Sequence, residues 1–261
     1  MPTTEWNAEL YRQRSSLQQA MAVEVLQVLK LTSSDRVLDV GCGDGRITSE
    51  IARRVPNGCV VGADASSNMI ELASQKIRPN LHFDVADARA LPLSNEFDLV
   101  VSFNALHWIH VQDLALASIH RSVKPGGAAH LRLVPMGARK SIETVLEETR
   151  NSPTWSKYFC DFRDPYLRLT EEEYCLLAQK SGFRIERVQT ESKTWDFRTR
   201  KEFFAFSSFT MVAWTKRLPE ALRSPFINDV LDRYRAVAVE KEGEENTFKF
   251  YQMTVLLKAL A

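Results

Sequence analysis

A short β-branched run that ends in glycines constrains this chain more than any other feature. Residues 36–40 read Arg-Val-Leu-Asp-Val and lead straight into Gly41-Cys42-Gly43-Asp44-Gly45, after which residues 46–55 have helical spacing. A strand, a glycine turn and a helix form the first unit of an open α/β sheet, in which ligands bind beyond the carboxyl ends of the strands. Glycine lets backbone approach a ligand closely, and the start of the helix presents N–H groups to it. The alternation continues. Strands are predicted over 59–63, 81–85, 97–103 and 128–134, with helices over 67–77 and 111–122 between them. Ser66 or Ser67 is the expected N-cap of the helix at 67–77, and Lys124-Pro125-Gly126-Gly127 the expected stop of the helix before it. Further helices are predicted over 17–30, near 140–150 and 171–181, and over 203–215 and 225–239, with late strands over 183–194 and 247–257. Such an order implies an α/β fold with a mostly parallel sheet and helices on both faces.

Composition divides the chain unevenly. Eight of the ten glycines fall in residues 1–150, and nineteen of the 25 aromatics in residues 151–261. Glycines make turns that approach ligands, whereas aromatics make apolar walls. With no long Pro/Ser linker between the parts, one integrated domain over 1–261 is expected. It would comprise N-terminal lid helices (1–30), a binding core (34–134), and an aromatic-rich cap with closing strands (135–261). Lys+Arg and Asp+Glu balance at 34 against 33, so no basic face argues for nucleic acid as a partner. The four cysteines lie far apart without metal-ligand spacing, which predicts reduced thiols, no metal and a cytoplasmic protein. The polar start lacks the pattern of a secretory signal, and no apolar run is long enough to span a membrane.

The charges around the glycine turn narrow the ligand. The spacing is GxGxG, with Arg46 where a dinucleotide fingerprint would have its third glycine, and Asp39 and Asp44 flank the turn. Pyrophosphate disfavours those carboxylates; a ligand with an ammonium and no phosphate suits them. Asp64 ends the second strand, 23 positions after Gly41, where an acid can accept both ribose hydroxyls. Asp87 follows the third strand, where a carboxylate can accept from an adenine amine. S-adenosylmethionine carries all of these groups.

In this order and spacing, VLDVGCGDG, VVGADASSNMI, DVADARALPL, FDLVVSFNALHWI and SVKPGG resemble class I S-adenosylmethionine-dependent methyltransferases over residues 34–134. The resemblance implies a Rossmann-like, seven-stranded sheet whose last strand is antiparallel. It implies that Asp39, Gly41 and Gly43 hold the methionine part, with Asn104 beside it. Asp64 would bind the ribose, Ala65 and Met69 would flank the adenine, and Asp87 and Ala88 would hold its edge. Trp6, Tyr11, Ser15-Ser16-Leu17-Gln18 and the NALHWI stretch are similar to the trans-aconitate methyltransferase group, although this chain reads Arg12-Gln13-Arg14-Ser15-Ser16 where that group has an RxRP stretch. Tyr11 and Gln18 are expected to close over the cofactor as part of an N-terminal lid.

That group and its relatives methylate carboxylates, so the expected partner is a small-molecule carboxylic acid. Carbon, nitrogen or a phenolic oxygen of an apolar metabolite is the alternative acceptor, and a methyltransferase-like binding protein without turnover is the non-enzymatic one. A carboxylate needs no base; a phenol or carbon acid can need one. His107, three residues after Asn104, is the candidate catalytic group. Arg132 faces either a substrate anion or a structural carboxylate. Residues 161–168 and 203–214 are the expected cap.

Overall fold

The computed structural model describes residues 16–260. Seven strands form one sheet in the order β3-β2-β1-β4-β5-β7-β6, with β1 at Arg36–Val40, β2 at Cys59–Asp64, β3 at Leu81–Val85 and β4 at Phe97–Phe103. The others are β5 at Val123–Leu133, β6 at Phe183–Asp196 and β7 at Thr247–Ala259. β1 to β5 pair in parallel, and β7 lies antiparallel between β5 and β6. The order reverses between β1 and β4, which makes their carboxyl ends the switch point at which such sheets bind ligands.

Side chains alternate across the sheet as the period of two requires. Leu38, Val100 and Leu131 pack with helices α4 (Gln112–Ser122) and α6 (Glu171–Lys180) on one face. Val37, Val60 and Val101 pack on the other with α1 (Ser16–Val28), α2 (Arg46–Arg54) and α3 (Ser67–Ser74). A third apolar cluster holds most of the late aromatics. It joins Leu17 of α1 to α5 (Ile142–Arg150), α7 (Arg200–Thr210), α8 (Val212–Thr215) and α9 (Glu220–Ala238), and to Phe248 and Phe250 of β7. β7 reaches that cluster because residues 247–252 pair only with β6, beyond the end of the β5 ladder.

Ser66 caps α3, accepting from the Met69 N–H at 3.4 Å. Three expectations shift. β5 begins at Val123, which pairs with Phe97, rather than at Ala128; Lys124–Gly127 follows with no partner in the β4 ladder, turning at Gly126 (φ 74°), and the ladder resumes at Ala128. The helix read over 203–215 starts at Arg200 and breaks at Met211, and α9 starts at Glu220 with Pro225 inside it. Among the described residues no helix is long and apolar enough to cross a membrane.

Candidate active site

The turn after β1 is held from both sides. Gly41 and Cys42 donate their N–H groups to the Ala63 carbonyl at 2.7 and 3.1 Å. Gly43 donates to Asp64 Oδ2 at 3.0 Å, and Asp64 Oδ1 accepts from Ser66 N–H at 2.9 Å. Gly41, Gly43 and Gly45 all have φ between 54° and 75°, the region that suits glycine. A Cβ on Gly41 would lie 2.2 Å from the Ala105 Cβ, so the turn from β1 touches the turn from β4. Gly43 has nothing within 4 Å of where its Cβ would stand, so its backbone faces open space.

That space is a cavity of about 450 Å³, large enough for a nucleoside-sized ligand. The structure brings nine of the predicted residues to its wall: Gly41, Gly43, Asp64, Ala65, Met69, Asp87, Ala88, Asn104 and His107. Asp39 is not on the wall. It is buried behind the turn, where Thr48 Oγ1 donates to its Oδ2 at 2.7 Å. Burial pushes its carboxyl up to about 7, against the Thr48 bond, and the charge of Asp64 adds to the rise. Tyr11 lies outside the described residues. Gln18 lies in α1, with its side chain outside them.

Two wall residues carry partners that the sequence did not announce. Arg89 wraps Asp87, with Nε 2.9 Å from both carboxylate oxygens, and this hydrogen bond holds the Asp87 carboxyl below its ordinary range. Asn104 sits at φ 58°, uncommon outside glycine, and its Oδ1 accepts from Gln252 Nε2 at 3.0 Å. Arg89 was detectable, two residues after an N-capping Asp; Gln252, 148 positions away, was not.

Beyond Asn104 the wall becomes aromatic. Residues 161–169 are stitched to the loop after β4: Leu167 N–H donates to the His107 carbonyl at 2.8 Å, and Gln112 Nε2 to the Leu167 carbonyl at 3.0 Å. This sets Tyr166 against His107, ring centroids 5.4 Å apart, and against Trp108 at 4.2 Å. Phe206, Phe209, Met211, Phe248 and Phe250 close the far side, so both predicted cap segments contribute.

His107 is buried, and its Nδ1 accepts from the Val134 N–H at 3.4 Å, which leaves the proton of the neutral ring on Nε2. Among the described residues Nε2 has no hydrogen-bond partner. Burial, aided by the Arg168 charge, pushes the imidazole down to about 3. Burial also holds the Tyr166 phenol well above its ordinary value. At neutral pH both side chains are donors.

The His107 shift has a consequence for stability. The unfolded ring takes up a proton below its ordinary 6.5, whereas the native ring stays neutral down to about 3. The stability of the buried neutral ring is therefore complete above about pH 6.5 and falls as pH drops toward 3. Relative to H107F, the unfolding free energy should lose about 2 kcal/mol between roughly pH 7 and pH 5. Denaturant titrations of both proteins at the two pH values check this; equal losses would show that the ring protonates in place.

Residues 37–127 match the methyltransferase domain family. Trans-aconitate 2-methyltransferase of Deinococcus radiodurans is 32% identical over 146 residues, covering 56% of this chain and 55% of its own. Juvenile hormone acid O-methyltransferase of Bombyx mori is 26% identical over 266 residues, covering 94% of this chain and 93% of its own. The structure of Haemonchus contortus phosphoethanolamine N-methyltransferase 2 with S-adenosyl-L-methionine shares the fold, with a TM-score of 0.63 at 16% identity over 97% of this chain and 57% of its own. The glycine turn at the switch point, the sheet order and the domain match over residues 37–127 support an S-adenosylmethionine-dependent methyltransferase domain in this chain.

Proposed function

We propose that the protein methylates the carboxylate of an apolar, small or medium-sized acid. S-adenosylmethionine supplies a methyl group on a sulfonium, which an in-line nucleophile can take. The chain's own work is to hold that group, align the acceptor and exclude water. Asp64, already fixed by two backbone N–H groups, would accept the ribose hydroxyls. Gly41, Gly43 and Asn104 would border the methionine part, and Ala65 and Met69 the adenine, with Asp87 and Ala88 at its edge. Asp39 would act through the turn: a ligand ammonium above Gly41 favours the anionic form that burial opposes. Residues 135–261 would serve as the substrate cap and closing strands, with the N-terminal lid residues Tyr11 and Gln18 over the cofactor.

The observation that carries the acceptor assignment is the state of His107. A ring held neutral, with Nδ1 already accepting, is a poor base and a good donor. A carboxylate is a nucleophile without losing a proton, so a donor suffices to orient it. Tyr166 supplies a second donor, and the aromatic wall takes the body of the acid. The Bombyx relative, named for an acid O-methyltransferase activity, supports the same reading across nearly the whole chain. A phenolic or carbon acceptor can need a base, and the cap carboxylate on the wall, Glu143, is paired with Arg168 at 3.4 Å.

Incubation with labelled S-adenosylmethionine and a panel of acids tests this. Aliphatic or aromatic monocarboxylic acids should give an alkali-labile methyl ester. They should exceed tricarboxylic acids in kcat/KM by at least about tenfold, since each extra carboxylate would be desolvated against aromatic rings. Label found only in alkali-stable product would reject the carboxylate.

A further inference from the structure

Arg132 is a buried cation only partly used by the fold. It lies in β5, beside the switch point, and the Asn104 N–H donates to its carbonyl at 2.8 Å. Its residue exposure is 4%, yet Arg132 is one of the residues that line the cavity, as are Met21 and its β4 ladder partner Phe103. Two guanidinium nitrogens are engaged: Nε donates to Thr254 Oγ1 of β7 at 3.2 Å, and Nη2 to Glu24 Oε1 of α1 at 3.0 Å. Nη1 is closed off from solvent and meets no acceptor among the described residues. Glu24 is shared, because the same oxygen also binds Lys193. Lys193 in turn lies 3.5 Å from Glu191.

A guanidinium that is buried, fixed at Nε and Nη2 and unmet at Nη1 has one nitrogen left for a charge-assisted bond to a single carboxylate oxygen. We propose that Nη1 of Arg132 is a carboxylate-binding subsite of the cavity, closed over by α1 through the Glu24 contact. The proposal rests on the cofactor and acid reading given above. The carboxylate comes from one of two sources: the amino-acid end of the S-adenosyl ligand, or the methyl acceptor.

The experiment separates the sources. Calorimetry on the full chain compares S-adenosylhomocysteine with 5′-methylthioadenosine, which lacks the amino-acid end, for the wild type and R132M. If the cofactor supplies the carboxylate, R132M weakens S-adenosylhomocysteine by at least about tenfold and leaves 5′-methylthioadenosine within roughly twofold. If the acceptor supplies it, both affinities hold and KM for a turned-over monocarboxylic acid rises by at least about tenfold with kcat little changed. Affinities and KM all within roughly twofold would overturn the subsite and leave Nη1 to a buried water. Should R132M not fold, the unmutated protein gives the answer. S-adenosylhomocysteine and its carboxamide, and the acid and its carboxamide, are compared as ligands. A loss of about tenfold or more in either pair supports the subsite, and no loss in both overturns it. Failure of the wild type to bind S-adenosylhomocysteine at all would instead contradict the cofactor reading.

Discussion

Replacing Gly41 by alanine is expected to lower the unfolding free energy by about 2–4 kcal/mol and to weaken S-adenosylhomocysteine binding by more than tenfold. Two independent effects act at this residue. Its φ of 75° strains any L side chain, by about 1–2 kcal/mol. Its Cβ would also stand 2.2 Å from the Ala105 Cβ, and both neighbours are backbone-bound. The Gly41 N–H is fixed to Ala63 O, and Ala105 lies between β4 and the short helical turn Leu106–Trp108. Relief would part the β1 and β4 turns, which is where the ligand has to fit. G43A is the control: its φ of 54° carries the strain, but nothing lies within 4 Å, so its loss should stay near 1 kcal/mol. Thermal and denaturant unfolding of both variants check the pair, and equal destabilisation would contradict the tight contact.

Asp64 is the second position of large effect. Its carboxylate accepts Gly43 and Ser66 N–H groups, and the reading above adds the ribose hydroxyls. D64A should weaken S-adenosylhomocysteine by about 100- to 1,000-fold, the equivalent of two hydrogen bonds to a charged group at about 1.5–2 kcal/mol each. Loss of the Gly43 contact loosens the turn at the same time. Calorimetry measures the change, and a change under about threefold would show that the ribose binds elsewhere.

The scaffold was legible because its signals are local. β1, β3 and β4 fall at their predicted bounds; β1 and β4 are apolar runs ended by Gly41 and Asn104, which leaves little choice. Where the reading slipped, a local rule met a non-local partner. Lys124–Gly127 has no partner in the β4 ladder and turns at Gly126 as read, but Val123 before it already pairs with Phe97, which starts β5 early. Pro225 looks like a helix start, yet the helix begins at Glu220. The same division holds at the site. Glycines, Asp64 and Asp87 announce themselves by their place after strands. Asp39 also announced itself, but burial sets it behind the turn. The cap residues on the wall were hidden among nineteen late aromatics, and no spacing rule separates Tyr166 or Phe206 from those packed in the core. The contact from Glu24 to Arg132 crosses 108 positions and leaves no trace in either neighbourhood. The neutrality of His107 arises from burial alone, which the sequence does not display.

The most direct test of the account is a calorimetric titration of the wild-type protein with S-adenosylhomocysteine and, separately, with NAD. Saturable S-adenosylhomocysteine binding at one site per chain, weakened by at least about 100-fold in D64A, together with no heat from NAD, is the expected result. Binding of NAD in its place, or S-adenosylhomocysteine binding indifferent to D64A, would contradict it.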